Sequence, residues 1–193
     1  MEHFHYKIPG WFTFPHLYSH MVERYDDGAH FVEIGAWQGC STAFMAVEII
    51  NSGKKIRLDV VDRWGRYALD GLNTKNPEKL PDDLVYKMFL DNIEPVKEVV
   101  QFTNIFHMDS VESTKYYKDD SLDFIFIDAD HTYEGVMRDL KAWYPKLKFG
   151  GHIAGHDYFN DEGVRQAVKD FFERKDDSLS CGEQCWCYFS EPI

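Results

Sequence analysis

The stretch Phe31-Val32-Glu33-Ile34-Gly35-Ala36-Trp37-Gln38-Gly39-Cys40-Ser41 constrains the fold of this chain more than any other. It begins as a short apolar run, turns on two glycines and passes into Ala43, Phe44, Val47 and Ile50 at helical spacing. A strand, a glycine turn and a helix make a ligand cradle. Glycine lets backbone approach where a Cβ would clash, and the helix N-terminus offers unpaired N–H donors. Gly53 is a good stop for the helix, and Ile56-Arg57-Leu58-Asp59-Val60-Val61 reads as a second strand ending at Asp62. Strand, helix and strand in this order form a βαβ unit with a parallel sheet.

The rest of the chain continues the alternation. Helices are predicted from Pro15 to about Tyr25, after Pro81-Asp82-Asp83 through Ile93, and over 111–117. A third strand is predicted at Val99–Thr103, followed by Ile105–Ser110. Leu122–Asp128 is nearly all apolar, as in a central strand covered on both faces. A helix carrying Val136, Met137, Leu140 and Trp143 follows, and Gly150-Gly151 is expected to end that unit. His152–Asp157 reads as a fifth strand and its turn, Val164, Val168, Phe171 and Phe172 as a helix, and Cys185–Phe189 as a last strand. The expected fold is α/β: a Rossmann-like, doubly wound, mostly parallel sheet of about seven strands with helices on both faces. A single domain over 1–193 is expected. Residues 1–29 form an aromatic segment and a helix, the segment either packing over the core or covering a ligand mouth. The polar, turn-rich stretch 63–82 is expected to be a mobile loop beside the ligand.

A net charge of −12 argues against a nucleic-acid backbone or an anionic membrane as partner, since both require a cationic surface. No run approaches the roughly 18 apolar residues of a membrane span, and the N-terminus lacks the basic-then-apolar form of a signal peptide. The expectation is a cytoplasmic protein with a small-molecule partner; a homo-oligomer is compatible with it. Cys181, Cys185 and Cys187 read as reduced thiols in and beside the terminal strand; the alternatives are a zinc site, which would need a fourth ligand from elsewhere, and a disulfide if the chain is exported or oxidised.

Ligands of open parallel sheets bind beyond the C-terminal ends of the strands. There this chain offers Glu33, Asp62, Asp109-Ser110, Asp128-Ala129-Asp130-His131 and His156-Asp157. An acid at every strand end favours a cation or a hydroxyl-rich ligand. Trp37 stands where the dinucleotide fingerprint has its second glycine, and no Gly-Lys-Ser/Thr follows, so neither a pyrophosphate nor a P-loop fits. A ligand with an ammonium group and a ribose, and without phosphate, fits better, with Asp62 accepting from the ribose hydroxyls.

These residues resemble a known family. Glu33–Gly39 looks like the first motif of class I S-adenosylmethionine-dependent methyltransferases, Asp62 like their ribose-binding acid, and Asp109-Ser110 like the pair near the adenine. Phe126–Val136, with its Asp-Ala-Asp-His, and Gly151–Tyr158, with its Gly-His-Asp-Tyr, are similar to the macrocin-type branch of small-molecule O-methyltransferases. The resemblance implies S-adenosylmethionine as cofactor, held by Glu33, Gly35, Ala36, Trp37, Gly39, Ser41, Asp62, Arg63, Asp109, Ser110 and Asp128. In metal-dependent catechol and caffeoyl-coenzyme A O-methyltransferases an Asp after the fourth strand binds Mg²⁺, a Lys three residues on is the base, and an Asp-Asn pair after the fifth strand completes the site. By position Asp128 and Asp157 match the metal acids, for Mg²⁺ or another divalent cation. His131 stands where the Lys would be, and Tyr158 replaces the Asn.

The residues carry a mechanism of their own. Methyl transfer is an in-line displacement in which the acceptor hydroxyl loses a proton and the reactants align at roughly 3 Å. A neutral His131 can accept that proton, with Asp128 or Asp130 orienting the ring and raising its basicity. A surface histidine at a helix start is the alternative for His131, and a core histidine bonded to backbone is favoured for His156. Trp37 and Trp64 either line pockets or pack, Tyr133 packs, and His152 is structural. A non-catalytic S-adenosylmethionine or nucleoside-binding module is the competing function; a nicotinamide oxidoreductase and a metal hydrolase stand further off.

Overall fold

A computed structural model describes residues 1–65, 68–69, 72, 80–97 and 101–190. Chain order is α1 (Pro15–Arg24), β1 (His30–Ile34), α2 (Cys40–Ser52), β2 (Arg57–Asp62), α3 (Leu84–Ile93), β3 (Gln101–His107), α4 (Ser110–Ser113), β4 (Leu122–Ile127), α5 (Tyr133–Trp143), β5 (Leu147–Gly155), α6 (Glu162–Phe171), β6 (Ser180–Gly182) and β7 (Cys185–Phe189). The strands form one sheet in the order β3-β2-β1-β4-β5-β7-β6. All pairings from β3 to β5 are parallel, and β7 joins β5 antiparallel with β6 at the edge. This is the mostly parallel, doubly wound sheet expected.

Strand alternation divides the core in two. Phe31, Leu58, Val60, Phe124 and Phe126 face Tyr18 and Met21 of α1, Phe44 and Met45 of α2, and Phe89 of α3. Val32, Ile34, Val61, Ile125 and Ile127 face Val136, Leu140 and Trp143 of α5 and Val164 and Val168 of α6. The same alternation buries two acids. Asp59, within β2, accepts from the Tyr117 hydroxyl at 2.7 Å and the Asn104 N–H at 2.8 Å, and lies 2.9 Å from His30 Nε2. Glu33 turns toward α1 and α2.

The structure corrects several sequence-based boundaries. Gly150 and Gly151 lie inside β5, where the Gly150 N–H donates to Ser190 O at 2.9 Å and the Gly151 carbonyl accepts from the Ser190 N–H. A register shift between Leu122 and Phe124 lets β5 pair with β4 from Leu147 onward. The stretches on either side of Thr103 are one strand, β3, because its ladder with β2 runs on to His107 across a bulge. The helix expected over 111–117 is one turn of α-helix followed by a 3₁₀ turn over Thr114–Tyr116. Strand β6 has no counterpart in the sequence reading: three residues show no period. Much of the 63–82 loop, and Val99 and Val100, lie outside the described residues. Among the described residues no helix is long and apolar enough to cross a membrane.

Candidate active site

Beyond the C-terminal ends of β1 to β5 a cavity of about 1100 Å³ opens. Asp62, Asp109, Asp128 and Asp157 line it with Gly35, Ala36, Trp37, Ser41, Arg63, Ser110 and His131. Four of the five strand-end acids therefore meet in one space. The fifth, Glu33, does not reach it. As the penultimate residue of β1 its side chain enters the core on the α1–α2 face, where Tyr18 Oη donates at 3.0 Å and the Thr42 hydroxyl also donates. Burial pushes its pKa up to about 7, against hydrogen bonds from Ser41, Thr42 and Tyr18 that lower it. Gly39 is also absent from the cavity wall.

The glycine turn is shaped by contacts that only tertiary structure supplies. Gly35 has φ +88°, and a Cβ there would stand 1.8 Å from the carbonyl oxygen of Asp128. Gly39, with φ +87°, leaves room for Phe89 of α3, whose ring would lie 2.9 Å from an added Cβ. Asp62 holds the turn from across the sheet. Its Oδ2 accepts the N–H groups of Ala36 and Trp37, each at 2.9 Å, and its Oδ1 accepts the Trp64 N–H at 2.7 Å. Trp37 lines the cavity in a left-handed conformation, φ +44°, with its indole N–H donating to Ala68 O at 3.0 Å. Trp64 is fully buried and packs on Tyr86 and Phe89.

At the β3 end Asp109 caps α4, accepting the Val111 N–H at 2.9 Å. Two guanidinium groups approach its Oδ2, Arg138 at 3.8 Å and Arg63 at 4.0 Å. Below them Asp139 is completely buried, and burial pushes its carboxyl up to about 6.

At the β4 and β5 ends two carboxylates and two imidazoles cluster. His131 Nε2 lies 3.3 Å from Asp128 Oδ1 and 3.4 Å from Asp157 Oδ2. His156 Nδ1 lies 3.3 Å from Asp157 Oδ2 and 3.9 Å from Asp128 Oδ2. The Asp128 hydrogen bond raises the pKa of His131 against the opposing effect of burial. The His156 hydrogen bond holds Asp157 down at about 2. One donor atom each from Asp128, His131 and Asp157 lies within 4.8 Å of the others, a spacing that could hold a metal ion.

Four features of the site escaped the sequence reading. His156 is not a core histidine bonded to backbone through its ring. Its Nε2 meets the Thr13 hydroxyl at 2.8 Å and its Nδ1 faces Asp157. Thr13 comes from the N-terminal segment, far away in sequence, so no local signal could have pointed to it. Tyr158, standing at the Asn position of the metal-dependent enzymes, is buried in the core, while Asn160 supplies an amide to Asp157 Oδ1 at 3.0 Å. Arg138 reaches Asp109 from α5, where helical spacing alone does not show which face meets the cavity. Away from the cluster, Tyr133 is exposed and its hydroxyl donates to Asp170, and His152 is buried with Nδ1 2.7 Å from the Tyr25 hydroxyl. The aromatic N-terminal segment does two things. Phe4 and Phe12 pack on the core, and Pro9 to Phe14 wall the cavity.

Residues 32–158 match the family described as "Methyltransferase domain", a span that takes in the glycine turn, the four strand-end acids of the cavity and the His-Asp cluster. The chain belongs to that family. An uncharacterized protein of Acanthamoeba polyphaga mimivirus is 26% identical to this methyltransferase-domain chain in an alignment of 151 residues that covers 74% of the chain and 60% of the relative. The chain thus spans about 60% of the length of the curated relative it matches. Among solved structures, the O-methyltransferase NovP superposes with a TM-score of 0.66 at 17% identity, over 92% of this chain and 79% of that one. SMU.1697c from Streptococcus mutans, solved in complex with SAH, superposes with a TM-score of 0.54 at 10% identity, over 93% and 97%. At these identities both likenesses show the Rossmann-like methyltransferase fold.

Proposed function

We propose that this chain is an S-adenosylmethionine-dependent O-methyltransferase acting on a hydroxyl of a small molecule, with Asp128 and Asp157 holding a divalent cation and His131 as base. One observation carries the reading: the glycine turn fixed by Asp62 and the Asp128–His131–Asp157 cluster open into the same cavity. The sulfonium cofactor supplies an electrophilic methyl group. Ala36, Trp37, Ser41 and Asp62 would hold its methionyl and ribose parts, and Asp109, Ser110 and Arg63 line the end where the base would lie. The two carboxylates suit a divalent cation, which would lower the pKa of a bound hydroxyl. His131 takes the hydroxyl proton, and Asp128 and Asp157 stabilise the imidazolium that results. Thr13 fixes one nitrogen of His156, which aims the other at Asp157. Trp11, Phe12 and Phe14 give the cavity an aromatic wall suited to a phenolic ring or the apolar face of a sugar. A net charge of −12 disfavours a nucleic-acid acceptor.

Calorimetric titration with S-adenosylhomocysteine tests the cofactor assignment, and absence of binding would refute it. His131→Ala separates base from ligand. As base, His131 supplies a factor of about 10²–10⁴ in turnover, measured across a panel of phenols and sugars, while Mn²⁺ affinity is retained. A variant that loses Mn²⁺ affinity instead would reassign His131 to the metal.

A further inference from the structure

The turn joining β6 to β7 is a run of left-handed residues. Gly182, Glu183 and Gln184 have φ of 87°, 53° and 64°. Glycine adopts this conformation freely, whereas in Glu183 and Gln184 it costs free energy that the surroundings must offset. Hydrogen bonds tie the turn in two directions, and both lead to the candidate active site.

On one side the turn grips the start of α1. Pro15 opens that helix without an N–H, and Phe14 before it supplies no side-chain cap. The next two N–H groups, of His16 and Leu17, donate to the Glu183 carboxylate at 3.3 and 3.2 Å. A residue far along the chain thus takes the place of an N-cap, and its negative charge suits that end of the helix dipole. The Glu183 carbonyl accepts from the Thr13 hydroxyl at 3.4 Å, and that hydroxyl stands 2.8 Å from His156 Nε2. On the other side the Gln184 carbonyl accepts the Tyr158 N–H at 2.8 Å. Tyr158 follows Asp157, which is itself left-handed with φ 57°. With His156 Nδ1 3.3 Å from Asp157 Oδ2, the contacts close into a ring: Glu183, Thr13, His156, Asp157, and back through Tyr158 to Gln184.

On the reading of Asp128, His131 and Asp157 as the reacting cluster, we propose that Glu183 is a positioning residue for it. Glu183 does not line the cavity. Its carboxylate clamps the start of α1 and so seats Thr13 against His156. His156, held at Nε2, keeps Nδ1 on one oxygen of Asp157, while the Asn160 amide holds the other at 3.0 Å. The direction in which Asp157 presents its carboxylate to the cavity is thereby set from a hairpin turn outside it.

The test uses the whole protein, Mn²⁺ as the probe ion and long-range ¹H–¹⁵N correlation of the His156 ring nitrogens. Glu183→Ala and Thr13→Val should each weaken Mn²⁺ binding by about tenfold, as loss of a group that orients a metal ligand does, while Thr13→Ser, which keeps the hydroxyl, should stay within about twofold of wild type. The double variant Glu183→Ala/Thr13→Val should bind Mn²⁺ no more weakly than Thr13→Val alone, because Glu183 acts through Thr13. The His156 ring signals should shift in Glu183→Ala and Thr13→Val and coincide with wild type in Thr13→Ser, a pattern that lost stability alone does not produce. Glu183→Gln keeps one acceptor oxygen at the helix start and should lie between wild type and Glu183→Ala in both readouts. His156 signals in Glu183→Ala that superpose on wild type, or Mn²⁺ losses that add in the double variant, would overturn the assignment. A wild type that binds no Mn²⁺ would remove the metal from the proposed function and leave the His156 signals to decide.

Discussion

Replacing Glu33 with Gln should change how the stability of this protein depends on pH. Glu33 is fully buried, with hydroxyl donors and no basic partner among its hydrogen bonds. Its carboxyl moves from 4.5 to about 7 on folding. A carboxyl raised in the folded state binds its proton more tightly there than in the unfolded chain. Its contribution is fully present below pH 4.5 and is lost as pH rises through about 7. A tenfold difference in proton affinity is worth about 1.4 kcal/mol, so about 3 kcal/mol disappears across this window. For a chain of this size that is about 6–12 °C in Tm. The glutamine side chain keeps the shape and cannot ionise. Wild type and Glu33→Gln, melted without cofactor from pH 4.5 to 8, should therefore diverge, with the variant gaining on wild type by about 3 kcal/mol at the alkaline end. Taking the difference cancels other titrating groups that do not touch Glu33. A constant Tm difference across the range would refute the argument, because it would mean that Glu33 enters the core no more protonated than it leaves water.

Other expectations rest on single contacts. Gly35→Ala meets both a left-handed φ and the Asp128 carbonyl at 1.8 Å, and should lose more than about 3 kcal/mol in urea unfolding. Gly28→Ala, with the same φ of +88° and open space around it, should lose only about 1 kcal/mol in the same experiment. Asp62→Ala removes the acceptor of the Ala36, Trp37 and Trp64 N–H groups and should weaken S-adenosylhomocysteine binding by about tenfold or more in calorimetry.

Most of the fold was legible because its signals are local. β1, α2, β2, β4 and β7 lie where apolar runs and helical spacing place them, and Gly53 caps α2 in the left-handed conformation its position suggests. The illegible parts are set by partners. β6 is too short to show a period, and β5 reaches back through Gly150-Gly151 because Leu122 of β4 pairs with Leu147 and Ser190, just past β7, bonds both glycines.

The candidate site divides the same way. Sequence alone determined the acids at the strand ends, since a parallel sheet puts the residues after every strand along one edge. It also determined that the turn after β1 needs glycine. Tertiary structure decided which of those residues share the cavity. Glu33 is withdrawn because strand alternation turns its side chain onto the α1–α2 face, and Asp62 holds the turn because β2 lies beside β1 in register. Thr13 meets His156 only because the N-terminal segment crosses the mouth of the cavity. A side chain's residue type and the end of the strand that carries it are properties of the local chain. The face it turns to and the group it touches depend on elements brought together from elsewhere.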